Sequence, residues 1–432
     1  MRPQSVYVVD GTRTPFLKAR NGPGAFSGSD LAVAAGRALL MRQPFAPDAI
    51  DEVILGCMIP SPDEANIGRV VSLRMGCGHR VPGWTVQRNC ASGMQAIDSA
   101  LHNIASGRAD LVLAGGTDSM SHAPVLWGRA MVEWLVAWQT ARDLPTRLKA
   151  IGRLRPRHLV PVISLLRGLT DPTVNLSMGQ TAEIVAQRFA IDRDAMDAFA
   201  VTSHQRLSAA QATGSLDEIT PLFDEKGGLY ETDDGVRPDS SLDKLAKLKP
   251  VFDRKFGNVT AGNSAQITDG AACLLLASEA AVKRHQLPVI GRIVDVAWAG
   301  LDPAEMGLGP AHAVPMLLKR QRIRQERIDY WEINEAFAAQ VLAVLAAWED
   351  KAYCRDVLGL SGTFGTIDRD RLNADGGAIA LGHPIGASGA RIVLHALKVL
   401  QREGGRYAVA SLCIGGGQGG ATLIEALGSS HG

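Results

Sequence analysis

Two distant stretches of this chain carry the same succession of motifs, and this repeat constrains the fold more than any other feature. Residues 91–93 and 387–389 both read Ala-Ser-Gly. Each is followed by a segment with helical spacing of apolar residues, a Gly-Arg pair, an apolar strand and a glycine-rich turn. The pattern predicts a duplicated β/α unit and therefore two similar halves that pack against each other.

The rest of the chain divides around this repeat. We expect residues 1–121 together with 251–280 to form an N-terminal half and residues 281–432 to form a C-terminal half. Between them, 122–250 has a looser composition and is predicted to be an inserted domain.

Part of the predicted insertion, residues 125–171, is basic and carries three tryptophans. It contains eight Lys or Arg against three Asp or Glu. Trp127, Trp134 and Trp138 fall on one face if the segment is a single helix. Three interpretations stay open: an amphipathic helix docked on the core, an interfacial helix at a membrane surface, and a docking surface for a partner subunit.

Composition excludes several classes of protein. Lys plus Arg is 45 and Asp plus Glu is 44, so no overall charge favours nucleic-acid binding. The six cysteines form no CxxC pair, which favours free thiols in a reducing cytoplasm. Residues 1–10 read as a strand rather than a signal peptide, and no run of 18 apolar residues occurs. We expect a cytoplasmic protein, with peripheral membrane contact through 125–171 left open.

A single cysteine, Cys90, stands directly before a predicted helix. A thiol at a helix N-terminus meets exposed N–H groups and the positive end of the helix dipole, which favour the nucleophilic thiolate. A buried, inert cysteine is the alternative.

Two further segments are rich in glycine around a reactive side chain. His383 lies between Gly382 and Pro384, where a histidine can serve as a general base or have a structural role. Cys413 ends an apolar strand and is followed by three glycines, whose N–H groups can line an oxyanion hole or simply form a tight turn.

Asn334 follows the strand-like segment IDYWEI and precedes a helical pattern. It is interpreted either as the N-cap of that helix or as a polar group that holds a water or a carbonyl.

Taken together, these segments resemble the thiolase family. Cys-Ala-Ser-Gly at 90–93, Asn-Glu-Ala-Phe at 334–337, Gly-His-Pro at 382–384 and Cys-Ile-Gly-Gly-Gly at 413–417 occur in the order and spacing of that family. RTPF near the start and VTAGNSAQITDGAA at 259–272 are also similar, so the resemblance covers essentially the whole chain.

The resemblance implies an α/β thiolase fold: two duplicated βαβαβαββ halves in five layers (α/β/α/β/α), with an inserted loop domain that binds CoA. It implies cleavage of 3-ketoacyl-CoA by CoA. Cys90 would become acylated, His383 would be its base, and Cys413 would protonate the departing carbanion. One oxyanion hole would be formed by His383 with a water on Asn334, and the other by the N–H groups of Cys90 and Gly415.

The resemblance also implies a substrate site without metal or organic cofactor, because CoA and acyl-CoA are substrates. Its contacts are expected at the residues Ser177, Met178, Ser264, Ala265 and Phe337. Many thiolases have His-Met-Gly where this chain has Ser177-Met178-Gly179.

Segments 125–171 and 345–372 resemble insertions in the β subunit of the fatty-acid-oxidation trifunctional complex, which favours a degradative enzyme of broad or longer chain length. The expected partners are a second copy in a homodimer or tetramer and a hydratase/dehydrogenase subunit. A biosynthetic acetoacetyl-CoA thiolase is the main alternative, and a non-catalytic scaffold subunit is a remote one. Ketoacyl synthases share the fold but typically pair their cysteine with two histidines, so Cys413 argues against them.

Overall fold

A computed structural model describes residues 4–20 and 22–427. The strands are β1 (Val6–Arg13), β2 (Leu17–Lys18), β3 (Glu52–Gly56), β4 (Gly83–Val86), β5 (Leu111–Ser119), β6 (Val125–Trp127), β7 (Pro161–Ile163), β8 (Leu222–Phe223), β9 (Leu229–Tyr230), β10 (Thr268–Ser278), β11 (Gly291–Gly300), β12 (Tyr330–Ile333), β13 (Tyr407–Ile414) and β14 (Gln418–Ala426).

The α-helices are α1 (Gly28–Met41), α2 (Ile67–Met75), α3 (Ser92–Ala105), α4 (Arg129–Thr140), α5 (Leu144–Arg153), α6 (Ser164–Gly168), α7 (Met178–Arg188), α8 (Arg193–Thr213), α9 (Leu242–Leu245), α10 (Glu279–His285), α11 (Gly309–Gln321), α12 (Ala338–Glu349), α13 (Lys351–Asp356), α14 (Ala378–Leu381) and α15 (Ile385–Glu403).

The two halves share one mixed sheet. Its strand order is β12-β13-β14-β11-β1-β10-β5-β3-β4, with β2 paired to β10. The halves join where β1 pairs antiparallel with β11, Val6 opposite Ile293. Strand β10 lies between β1 and β5, so a segment that follows the insertion in sequence completes the sheet of the first half.

Helices fill the layers on both sides of this sheet. Helices α3 and α15 pack together in a central layer, where Met94 and Ile97 of α3 share a core with Val393 and Leu397 of α15. Helices α1 and α2 cover the outer face of the first half, and α11 and α12 cover that of the second. Strands from both halves of the sheet, such as β5 and β13, pack on the shared α3–α15 layer. Each half of the sheet thus forms its own layer, and the layers run helix, sheet, helix, sheet, helix, as predicted.

Close contact between the two central helices depends on glycine. A Cβ added to Gly93 of α3 would lie 2.7 Å from the carbonyl oxygen of Gly386 in α15. A Cβ on Gly116 of β5 would lie 1.9 Å from the same oxygen. Any side chain at Gly93 or Gly116 would push the first turns of α3 and α15 apart, and these turns adjoin Cys90 and His383.

The predicted elements around the repeat are present with small differences in length. The helix after Cys90 ends at Ala105, and the strand that follows is β5. One interpretation is wrong: Asn334 is not a helix N-cap. It follows β12 directly, and helix α12 begins only at Ala338 with Phe337 as its N-cap, because residues 334–337 form a connection in which Phe337 pairs with Ser264.

The insertion 125–171 is a small helical unit and not a single helix. Trp127 lies in β6, so the three tryptophans do not share a helix face and that prediction is wrong. Trp134 and Trp138 stack with ring centroids 6.0 Å apart, and the Trp134 Nε1–H donates to the Ala150 carbonyl at 2.8 Å. These rings hold α4 against α5 and do not point outward.

The outer face of this pair is apolar and exposed. On α5, Leu144, Leu148 and Ile151 are 69%, 59% and 52% exposed. Their spacing places them on one helix face. The apolar face of α5 is therefore not docked on the core of the described chain. No helix in residues 4–20 and 22–427 is long and apolar enough to cross a membrane.

Candidate active site

Cys90 lies in a constrained turn between β4 and α3. The residue before it, Asn89, has a φ of 44°, a region that non-glycine residues rarely adopt. The Asn89 side-chain amide donates to the Gly415 carbonyl at 2.7 Å, and the Ser92 hydroxyl donates to the Asn89 carbonyl at 2.7 Å. The turn that presents Cys90 is thus tied to the turn that follows Cys413.

The protonation of Cys90 differs from the sequence-based expectation. Burial raises the pKa of the Cys90 thiol, although the N–H groups of Gly415 and of Cys90 itself act in the opposite direction. Desolvation outweighs the helix N-terminus, so the expectation that this position favours a resting thiolate is wrong. The thiol needs a base to become nucleophilic.

His383 is oriented for that task. Its Nδ1 lies 2.6 Å from the Ser388 hydroxyl, and that hydroxyl donates its only proton to the Pro384 carbonyl at 3.0 Å. Nδ1 must then carry the ring proton, which leaves a lone pair on Nε2. His383 Nε2 is buried and makes no hydrogen bond to the described residues.

The electrostatic surroundings keep this imidazole neutral. Burial, together with the positive charge of Arg391, lowers the pKa of His383 to about 4. At neutral pH the ring is therefore unprotonated and able to accept a proton.

Cys413 lies at the end of β13 and is buried. Burial raises the pKa of its thiol, and negative charge on Cys90 raises it as well. Cys413 therefore keeps its proton until a strong base, such as a carbanion, is formed beside it.

The three reactive side chains line one pocket of about 580 Å³. All five residues expected from the resemblance to contact CoA lie in its lining: Ser177, Met178, Ser264, Ala265 and Phe337. Sequence reasoning missed the apolar residues Met120, Leu166, Leu169 and Ile385 and the basic residues Lys18 and Arg237, which also line it.

Asn334 is fully buried and is not part of the pocket lining. Neither its Oδ1 nor its Nδ2 bonds to any described residue. A buried amide with both atoms unpaired is costly unless an ordered water satisfies it. The Gly415 carbonyl accepts the hydrogen bond from Asn89 that holds the Cys90 turn. The Cα of Gly415 lies close to Met178 in the pocket wall.

A basic recess adjoins the pocket. Lys18 and Arg237 border both spaces, and Arg20 joins them in a recess of about 460 Å³. Burial lowers the pKa of Lys18, and the nearby Arg237 and Arg20 lower it further. Asp234 also lines this recess and pairs with Arg20 at 2.7 Å, so among the described residues Lys18 and Arg237 are the cations there without an ion-pair partner, and they suit an anionic group such as a phosphate.

The described residues contain no group of three or more His, Cys, Asp or Glu side chains that could hold a metal ion.

Comparison with known proteins identifies the family. Residues 6–280 match the family model "Thiolase, N-terminal domain", and residues 287–426 match "Thiolase, C-terminal domain". The chain belongs to the thiolase family. A curated relative, 3-ketoacyl-CoA thiolase of Yersinia enterocolitica, is 36% identical over 97% of this thiolase and 96% of its own length.

Solved thiolase structures share the fold. Human mitochondrial 3-ketoacyl-CoA thiolase in complex with CoA superposes with a TM-score of 0.83 at 37% identity, over 98% of each chain. The Bacillus anthracis acetyl-CoA acetyltransferase superposes with a TM-score of 0.84 at 35% identity, over 99% of this chain and 100% of the other. The predicted thiolase fold is confirmed.

Proposed function

We propose that this thiolase cleaves 3-ketoacyl-CoA with CoA, giving acetyl-CoA and a shortened acyl-CoA in fatty-acid β-oxidation. The observation that carries the proposal is the single pocket lined by Cys90, His383 and Cys413. The name of the Yersinia relative supports the same reaction.

In the first half-reaction, Cys90 attacks the keto carbon while His383 Nε2 takes the thiol proton. The bond between the α-carbon and the keto carbon then breaks, which leaves the acyl group on Cys90. The electron pair stays on the α-carbon, and Cys413 gives it a proton to form acetyl-CoA. A neutral Cys413 suits this step because its raised pKa keeps the proton available.

In the second half-reaction, free CoA enters and its thiol proton passes to the Cys413 thiolate. The CoA sulfur attacks the acyl carbon, the bond to Cys90 breaks, and protonated His383 returns its proton to the Cys90 thiolate. Two thiols are needed because one holds the acyl group while the other moves a proton.

Two oxyanion sites support these steps in the proposal. His383 and a water on the unpaired Asn334 amide would stabilise one oxyanion, and the N–H groups of Cys90 and Gly415 would stabilise the other. The unpaired atoms of Asn334 and His383 support the first site.

The basic recess is proposed to hold the phosphates of CoA, with Lys18 and Arg237 as the cations. The pantetheine arm would then cross the pocket lining at Ser177 and Ser264 to reach Cys90. We further propose that the preferred substrates have longer acyl chains, because Leu166 and Leu169 of the insertion extend the apolar wall of the pocket.

The test is CoA-dependent cleavage of 3-ketoacyl-CoA substrates from four to sixteen carbons by the full chain. Turnover that rises with chain length supports the degradative proposal. Turnover confined to four-carbon substrates would favour the alternative of a biosynthetic acetoacetyl-CoA thiolase. The structural similarity to the Bacillus anthracis acetyl-CoA acetyltransferase supports that alternative. No turnover in folded protein would overturn the enzyme proposal and leave the scaffold alternative.

We also propose that α4 and α5 bind an anionic lipid surface from the cytoplasmic side. The exposed apolar face of α5 lies beside exposed cations, among them Arg147, Lys149 and Arg153. An apolar stripe flanked by Lys and Arg is the arrangement that interfacial helices use. Flotation with phosphatidylglycerol vesicles, and not with phosphatidylcholine vesicles, is the expected result. Binding instead to a hydratase/dehydrogenase subunit would refute the lipid proposal and support a partner surface.

The division of the chain into residues 1–121 with 251–280, 122–250, and 281–432 remains part of this proposal. The position of β10 inside the first half of the sheet supports it. A homodimer or tetramer is proposed as well, since β4 leaves one edge of the large sheet unpaired within the described chain.

A further inference from the structure

Asp118 is a buried carboxylate that the proposed reaction does not use. It lies near the end of β5, fully shielded from solvent, between the turn after β3 and the start of α15. Isolated buried carboxylates are costly, so a site that retains one must supply several donors.

The donors to Asp118 come from both halves of the molecule. On one side, the N–H groups of Met58 and Ile59 donate at 3.2 and 2.8 Å, and the Cys57 thiol donates at 3.3 Å. On the other side, the N–H of Gly386 donates to Asp118 Oδ2. Burial raises the pKa of Asp118 to about 6, while these donors act to lower it, so the group is mainly ionised at neutral pH.

Gly386 belongs to the first turn of α15, the same turn that orients His383. Ser388, two residues further on, contacts His383 Nδ1 at 2.6 Å. The carbonyl of Gly386 also packs against Gly93 in the first turn of α3, directly after Cys90. A shift of Gly386 would therefore move His383 relative to Cys90.

We propose that Asp118 is a positioning residue for thiolysis, because its carboxylate ties the turn at 57–59 to the first turn of α15 and so sets His383 Nε2 against the Cys90 thiol. The inference rests on the proposed function. Asp118 makes no hydrogen bond to Cys90 or Cys413 and acts on the geometry through α15, while its negative charge also raises the pKa of the Cys90 thiol.

Asp118→Asn tests this with almost no change in size. The amide oxygen satisfies the three donors at 57–59 if it faces them, which turns the Nδ2 group toward the Gly386 N–H. The new side-chain N–H group and the Gly386 N–H are both donors, so they repel each other. Only the link to α15 is lost, and the bonds to the turn at 57–59 remain. Because a misplacement of about 1 Å can cost about 10²-fold in rate, we expect kcat to fall roughly 10–100-fold, with the KM for CoA within about threefold of wild type.

Asp269→Asn is the matched control. Asp269 is also a buried carboxylate, on the neighbouring strand β10, but it holds the N–H and hydroxyl of Ser121 and does not contact α15. Its kcat should stay within about threefold of wild type. The rate of iodoacetamide reaction at Cys90 should fall for Asp118→Asn and not for Asp269→Asn, since only the former moves the base.

The outcomes separate the two proposals. Wild-type protein without thiolysis would refute the proposed function. Active wild type with a normal kcat in Asp118→Asn, or an equal loss in both variants, would refute the role of Asp118. If Asp118→Asn does not fold, Asp118→Glu decides, because it keeps the carboxylate charge and lengthens the link to the Gly386 N–H. A kcat-selective loss supports the proposal, and an unchanged kcat overturns it.

Discussion

Two regions line the same pocket: the proposed catalytic cluster, which comprises Cys90, His383 and Cys413, and the insertion 125–171. They differ in how their side chains are held in place. The cluster is held by part-buried hydrogen bonds: Asn89 to Gly415 joins the two halves, and Ser388 to His383 lies within the C-terminal half. The insertion packs mainly on itself and leaves Leu144, Leu148 and Ile151 exposed.

The difference separates chemistry from recognition. Proton transfer requires groups held to within a fraction of an ångström, which only a close-packed interior provides. A surface that meets chain-like or lipid-like partners gains from exposed apolar area and tolerates change. Substitutions in the cluster should therefore lower turnover equally for all substrates. Substitutions in the insertion should lower it to an extent that depends on the length of the acyl chain.

The largest effect is expected from Cys90→Ala, because no other thiol can take the acyl group. Turnover should fall by at least about 10⁴-fold for every chain length, measured as thioester loss with CoA present. Cys273→Ala, at a buried cysteine of β10 outside the pocket, should keep near wild-type activity. Residual cleavage of one chain length by Cys90→Ala would show a second nucleophile and break the comparison.

Asn334→Ala should have the next largest effect. Loss of one oxyanion donor typically costs about 10²–10³-fold in rate, so kcat should fall by that factor for short and long substrates alike. Gln340→Ala is the control, since Gln340 of α12 is another buried amide with both atoms unpaired but has no part in the proposed oxyanion sites. Equal losses in the two variants would show that the effect comes from burial and not from catalysis.

The double substitution Leu166→Ser with Leu169→Ser should act on recognition alone. We expect kcat/KM for sixteen-carbon substrates to fall about tenfold or more, since each lost apolar contact is worth about 1–3 kcal/mol, with little change at four carbons. Leu159→Ser, exposed in the same insertion but outside the pocket, is the control. A uniform loss at all lengths would remove the distinction between insertion and cluster.

The smallest effect concerns stability rather than rate. His395 of α15 is buried 3.1 Å from a Glu218 oxygen and 3.2 Å from an Asp375 oxygen. Burial lowers its pKa, but these carboxylates outweigh burial and raise the pKa to about 10. The folded protein then holds a proton that the unfolded chain releases above about pH 6.5.

The free energy of unfolding should therefore fall by about 1.4 kcal/mol per pH unit as pH rises from about 6.5 to about 10, measured by urea denaturation. The contribution is fully present below pH 6.5. His395→Gln should flatten this slope. His204→Gln should leave it unchanged, because burial lowers the pKa of His204 to about 4. An unchanged pH dependence of the unfolding free energy in His395→Gln would show that a group other than His395 binds the proton.

Much of the fold could be predicted because its signals are local. The spacing of apolar residues after Cys90 predicts α3, and the same pattern after residue 387 predicts α15. The motifs that contain Cys90, Asn334, His383 and Cys413 were recognisable because short segments keep their own chemistry.

Other features depend on partners that are distant in sequence. Lys18 and Arg237 meet at one recess because their segments, far apart in sequence, are joined there: the Lys18 N–H donates to the Asp234 carboxylate. The helix N-terminus at Cys90 predicted a thiolate, but the extent of burial, which raises the pKa, is a tertiary quantity. Trp127 was assigned to a helix because periodicity does not show where β6 ends and α4 begins.

The sequence by itself determined the family and the α/β fold, and it supplied the side chains proposed to react, since these are carried by residue type and local spacing. The tertiary structure decided the protonation of those side chains, the basic recess, the exposed face of the insertion and the tether from Asp118 to α15. Each of these depends on which atoms are brought together and which are removed from water, and that is settled only when the two halves pack.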